Sequence, residues 1–114
     1  MTLESIQELI DRPIDLDNRE DAEKKLNDLL STLGHSAKIK SQAHGNLERK
    51  KGVVMRCYPD LNYRLLKLRI DSETAAEQEQ FVLAERINVS LFKAIDGLKA
   101  LLNIQDKTEE VKWN

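Results

Sequence analysis

Apolar residues recur at intervals of three and four along the last third of the chain, and this spacing limits the fold more than any other feature. The six positions are Ala84, Ile87, Leu91, Ala94, Leu98 and Leu101, and Ile95 and Leu102 widen the stripe. Such spacing is typical of a coiled-coil-like helix, and no proline follows Pro59 to interrupt it. We expect one helix over about 72–103, roughly 45 Å long. Its stripe must be buried against a second helix of the chain or against the same helix of another subunit.

The N-terminal third predicts two more helices. The first runs over about 3–11 and ends before Pro13, because proline disfavours the helical conformation in the residue before it. Asp17 and Asn18 are candidate caps for the second helix. The stripe of that helix is Ala22, Leu26, Leu29, Leu30 and Leu33, and Gly34 is its expected C-cap.

The middle of the chain allows two interpretations. The segment "GVVMRCY", followed by "PD" and "YRLLKLRI", is typical of a β-hairpin. A helical segment would stop at Pro59 and restart with Asp60 as its cap. Gly45 and Gly52 count against a helix, whereas the many Leu, Lys and Arg residues favour one. We therefore expect a mainly all-α fold, with an α+β fold containing a central hairpin or small antiparallel sheet at about 37–70 as the alternative.

A chain of 114 residues suits a single domain over 1–114. We divide it into acidic N-terminal helices (1–34), a basic central segment (35–70), an oligomerisation helix (71–105) and a polar tail (106–114), which frays unless Trp113 docks. The lone cysteine, Cys57, excludes an internal disulfide. No apolar run approaches the roughly 20 residues that span a membrane. We expect a reducing, cytoplasmic location.

Positive charge is concentrated in the middle of a slightly acidic protein. Residues 35–69 hold nine Lys or Arg and two acidic residues, a net charge of +7, whereas residues 1–34 carry −5 and residues 70–114 carry −4. Charge blocks of this kind indicate something about partners. A plain alternative is that the acidic ends neutralise the basic centre.

Motifs for catalysis are missing from the sequence. It has no Gly-rich phosphate loop, no nucleophile elbow and no metal-ligand spacing. His35 and His44 are nine residues apart, a spacing that does not place them on one helical face. We expect no catalytic residue, no metal and no cofactor, and hence a protein that is not an enzyme.

The basic segment instead predicts a surface for single-stranded nucleic acid. Its cations can neutralise phosphates and release counterions, and tyrosines among them offer faces on which bases stack. An oligomer would repeat the surface and raise its avidity. The predicted binding residues are Arg49, Lys50, Lys51, Arg56, Tyr58, Tyr63, Arg64, Lys67 and Arg69.

Three segments resemble the phage recombination mediator proteins of the UvsY type. They are the opening "MTLESIQELIDRPID", "LGHS" with the basic stretch after it that ends near a tyrosine, and the close "LLNIQDKTEEVKWN". The resemblance implies an all-helical subunit in a ring-like homo-oligomer that binds single-stranded DNA. Such mediators help to load a recombinase onto strands covered by single-strand binding protein.

The resemblance maps the family's DNA-binding segment onto Arg49, Lys50, Lys51, Arg56, Tyr58 and Arg64. The chain departs from the family pattern in being shorter, in lacking the double tyrosine followed by glycine, and in having Pro59-Asp60. Two rival hypotheses remain. One is an adaptor or inhibitor of phage or bacterial origin that presents a basic surface to an acidic protein, and the other is a structural coiled-coil component.

Overall fold

The chain folds into a long antiparallel helical hairpin. The computed structural model describes residues 1–113, with side chains described over 1–104. Its helices are α1 (Leu3–Asp11), α2 (Arg19–Cys57), α3 (Tyr63–Glu73) and α4 (Ala75–Trp113). No strand occurs within 1–113. The mainly all-α interpretation is therefore confirmed, and the alternative with a central β-hairpin or small antiparallel sheet is wrong. The prediction for the tail, including Trp113, lies outside the residues whose side chains are described.

Pro13 and one of the candidate caps of α2 set boundaries near the N-terminus as predicted, and the cap of α1 was not predicted. Thr2 and Ser5 form a reciprocal capping box at the start of α1. The chain leaves the helix at Arg12, one residue before Pro13. Of the two candidate caps for α2, Asn18 is the one used, and its side-chain oxygen accepts from the backbone N–H groups of Glu20 and Asp21.

Helix α2 continues for 39 residues, and this overturns the prediction that Gly34 is a C-cap. A glycine C-cap needs positive φ, and no glycine in the described chain adopts it. Gly45 and Gly52 likewise lie inside the helix. Each helical glycine costs about 1 kcal/mol relative to alanine, and the packing of α2 along α4 outweighs that cost.

The turn at the far end of the hairpin also differs in detail from the prediction. Helix α2 ends at Cys57, close to the expected stop at Pro59. The cap of the next helix is Asn62 rather than Asp60, because the Asn62 side chain accepts from the Leu65 backbone N–H at 3.0 Å. The last helix, predicted to begin near residue 72, begins at Ala75. Thr74 separates it from α3, and the Thr74 hydroxyl donates to the Ile70 carbonyl at 2.6 Å.

The core lies between α2 and α4, with α1 against both. Its buried members are Ile6, Ala22, Leu29, Ile87, Leu91, Ile95, Leu98 and Leu102. At mid-length the buried Ser36 hydroxyl donates to the Asn88 side-chain oxygen at 2.9 Å, which fixes how far the two helices slide past each other. Lys25 holds α1 in place by donating to the carbonyls of Ile10 (2.7 Å) and Arg12 (2.6 Å).

The predicted oligomerisation stripe lies inside this core. Ala84, Ile87, Leu91 and Leu98 are buried, and Ala94 and Leu101 are half-buried. Of the two partners considered for the stripe, the second helix of the same chain is therefore the one that covers it. Because these side chains are already buried within their own chain, they have little exposed area left to contact another subunit. An assembly would therefore need a different surface.

Candidate nucleic-acid interface

The nine predicted binding residues gather at one end of the hairpin, which we call the basic tip. The last turns of α2 carry Arg49, Lys50, Lys51 and Arg56, the loop carries Tyr58, and α3 carries Tyr63, Arg64, Lys67 and Arg69. The hairpin turn lies near the middle of the sequence, so the basic middle of the chain becomes one end of a molecule 76 Å long.

Most cations of the basic tip have no carboxylate partner. Lys51 lies 3.5 Å from Glu48, and Arg49 donates to the side-chain oxygen of Asn46. Within residues 1–104, no carboxylate oxygen lies within 4.0 Å of the cationic groups of Lys50, Arg56, Arg64 or Lys67. All four side chains are exposed, so their charge is open to an external anion.

The two tyrosines occupy different environments. Tyr58 is half-buried, its ring is covered by the Arg69 guanidinium 5.0 Å from the centroid, and its hydroxyl donates to Glu73 at 3.3 Å. Tyr63 is 80% exposed at the first position of α3. Tyr63 is therefore available to stack on a base, whereas Tyr58 and Arg69 are engaged in joining α2 to α3.

A row of cations along α2 extends the basic tip. Positions 38, 49 and 56 fall on one face of a helix, because steps of 11 and 7 residues return to nearly the same angle at about 100° per residue. Lys38, Arg49 and Arg56 are all exposed and span roughly 27 Å at 1.5 Å per residue. Lys38 was not among the predicted residues, and this spacing is the sequence signal that could have identified it.

Glycine precedes each arginine of the row by four positions. A Cβ added at Gly45 would lie 3.6 Å from a guanidinium nitrogen of Arg49, and one at Gly52 would lie 3.5 Å from that of Arg56. Each guanidinium thus lies back along the helix over a glycine. The Gly-x-x-x-Arg spacing is repeated after seven residues. Because glycine has no side chain, each guanidinium lies close to the backbone of α2.

The tip also exposes apolar side chains that the sequence interpretation passed over. Met55, Leu65 and Leu68 are 50%, 47% and 60% exposed, and α3 has no fully buried residue. Two leucines three positions apart on an exposed basic helix give that helix a partly apolar outer surface.

Other kinds of site find little support in the described part of the chain. Residues 1–104 hold no group of three or more His, Cys, Asp or Glu side chains placed to bind a metal. His44 packs against Phe81 with ring centroids 5.2 Å apart. None of the helices, as far as they are described, combines the length and apolar character needed to cross a membrane.

The assignment of the basic tip rests on its geometry and charge. Comparison of the chain with models of protein families, with curated proteins and with solved structures finds no match.

Proposed function

We propose that the protein binds single-stranded nucleic acid through the basic tip and the adjoining row on α2, as a non-enzymatic accessory protein in the cytoplasm. The observation that carries the proposal is the set of exposed cations without carboxylate partners, namely Lys50, Arg56, Arg64 and Lys67. Binding a run of phosphates releases condensed counterions, which supplies affinity without sequence preference.

Single strands fit this surface better than a duplex does. Tyr63 presents an open ring beside Arg64, and an unpaired base can stack on it. The resemblance to UvsY-type proteins points the same way and suggests a recombination mediator that helps a recombinase onto single-stranded DNA.

The test is a fluorescence titration with a labelled oligothymidine at several salt concentrations. If about five cations contact phosphates, the slope of log K against log[salt] is about −3.5, so binding weakens roughly 100-fold between 50 and 200 mM salt. A triple variant, Arg56→Glu, Arg64→Glu and Lys67→Glu, should lose most of the affinity and flatten the slope to about −1.4.

A matched control reverses the same number of charges away from the tip. Lys24, Lys93 and Lys99 are exposed and lie outside the basic tip, so their replacement by Glu changes net charge equally. The control should retain most of the binding, and both variants should keep wild-type helix content by circular dichroism. Equal losses in the two variants would show that only net charge matters and would reject the tip as the site.

A second function is favoured by the exposed leucines. Leu65 and Leu68 give α3 an apolar face flanked by Arg64 and Lys67, which suits an acidic amphipathic segment of another protein. Under this adaptor hypothesis, Leu65→Ser with Leu68→Ser would abolish capture of a protein partner that nuclease treatment leaves in place. Under the nucleic-acid hypothesis, the same pair would leave oligonucleotide affinity within about threefold.

A further inference from the structure

An apolar groove runs along one side of the hairpin, away from the basic tip. It has a volume of about 610 Å³. Its apolar walls include Leu33 and Ala37 of α2 and Phe81 and Phe92 of α4, and Lys40 and His44 also line it. Phe92 remains 50% exposed, although large aromatic side chains gain most from burial.

Helix α1 leaves this groove open because it packs on the other side of the hairpin. It is held by Lys25 through hydrogen bonds and by Asp28, which pairs with Arg12 at 3.2 Å. At about 100° per residue, Lys25 and Asp28 lie on the opposite side of α2 from Ala37 and His44. One side of the α2–α4 pair is therefore covered by α1, and the side that holds the groove is not.

The chain exposes more surface than a compact monomer of its mass. Its accessible surface is 8220 Å², against about 6,400 Å² expected for a folded monomer of 13.1 kDa. Its radius of gyration is 20.9 Å, against about 13 Å for a compact domain of this length. The side of the hairpin that holds the groove follows α2, which is roughly 58 Å long at 1.5 Å per residue, and this length is enough for the roughly 800 Å² per partner of a standard interface.

We propose that a second copy of this chain covers the groove, in an antiparallel two-fold dimer. The groove spans positions 33–44 of α2, so it is centred on a helix that runs from Arg19 to Cys57. A two-fold axis through that centre places the acidic first third of one copy (net −5) beside the basic middle of the other (net +7). A parallel pair would place like charges side by side, which is costly.

The groove is lined by residues other than those of the proposed function, although the dimer places the partner's acidic first third beside the basic tip. The row Lys38, Arg49 and Arg56 is turned away from α4, whereas the groove is formed between α2 and α4. Dimer formation and oligonucleotide binding are therefore measurable separately, and failure of one leaves the other standing.

Sedimentation equilibrium tests the dimer with a matched pair of substitutions on α4. Wild type should show twice the chain mass of 13.1 kDa. Phe92→Glu should raise the dissociation constant at least 100-fold and yield monomer. Leu83, also an exposed apolar residue at 45%, lies on the other side of α4, so Leu83→Glu should leave the dimer intact. A wild-type monomer at high concentration, or a dimer that Phe92→Glu leaves unchanged, overturns the proposal.

The single cysteine tests the orientation. Cys57 is exposed near the tip, about 18 residues from the groove centre, so spin labels on two antiparallel copies should lie roughly 55 Å apart at 1.5 Å per residue. A label separation below about 25 Å, or ready disulfide formation between copies, would instead show a parallel pair and overturn the antiparallel arrangement.

Discussion

Replacing Gly34 with alanine distinguishes the observed fold from the one that the sequence first indicated. A glycine C-cap has positive φ, where alanine is strained and destabilises by about 1 kcal/mol or more. In the structure Gly34 lies inside α2 without positive φ, and an added Cβ meets no atom within 4 Å. Gly34→Ala should therefore stabilise the fold by about 1 kcal/mol, or roughly 4–8 °C in Tm for a domain of about this size.

Urea unfolding followed by circular dichroism measures the change, at fixed protein concentration because association adds to apparent stability. Gly97→Ala serves as the reference, since Gly97 is helical in both interpretations and its Cβ also meets no atom within 4 Å. Because Gly34 borders the groove, the substitution is repeated in the Phe92→Glu background. A loss of stability in Gly34→Ala beside a gain in Gly97→Ala would mean that α2 ends at residue 34, and the reasoning for a continuous α2 would fail.

Three further predictions follow from particular contacts. Ser36→Ala removes the partly buried hydrogen bond to Asn88 and should cost about 1 kcal/mol in urea unfolding, whereas adding Asn88→Leu should restore part of the loss because no unpaired acceptor is then left. Burial, with a smaller contribution from Arg12, lowers the pKa of Lys25 below 10.5. The unfolded chain then holds this proton more tightly, so the free energy of unfolding rises with pH between the lowered pKa and 10.5. A ¹³C NMR titration that places the Lys25 pKa at or above 10.5 would contradict this. Tyr63→Ala should weaken oligonucleotide binding by about 1–3 kcal/mol if a base stacks there, while Tyr58→Phe, which keeps the ring under Arg69, should change binding less than twofold in the same titration.

Periodicity and caps predicted the helices where local signals decide. The end of α1 follows from Pro13 and the start of α2 from Asn18, and the stripe around Leu91 identifies the buried face of α4. The length of α2 could not be predicted in this way, because the local preference of Gly34 favours a C-cap over a helix interior. What decides between them is the long-range pairing of α2 with α4, as in the bond from Ser36 to Asn88.

The charge of the candidate site was predictable from the sequence, whereas the contacts of its side chains were not. The concentration of cations was visible in the sequence, and the structure leaves most of them without carboxylate partners. That Tyr58 is occupied and Tyr63 is open depends on the position of Arg69, which a sequence of alternating basic and apolar residues does not reveal. The open groove beside Phe92 was missed because the stripe that contains Leu91 already accounted for the burial of α4.

The hairpin topology explains why the acidic N-terminal block does not cancel the basic middle within one chain. Since the turn lies near the middle of the sequence, residues 1–34 and the basic tip are at opposite ends of α2. Asp28, the last acidic residue of this block, and Arg49 are 21 residues apart, or about 32 Å along the helix, well beyond the roughly 8 Å over which salt screens charge. Of the acidic residues near the tip, Glu48 lies 3.5 Å from Lys51 and Glu73 accepts from the Tyr58 hydroxyl. Within residues 1–104, Lys50, Arg56, Arg64 and Lys67 have no carboxylate partner, so a polyanion can bind to them and to the row on α2 that faces away from α4.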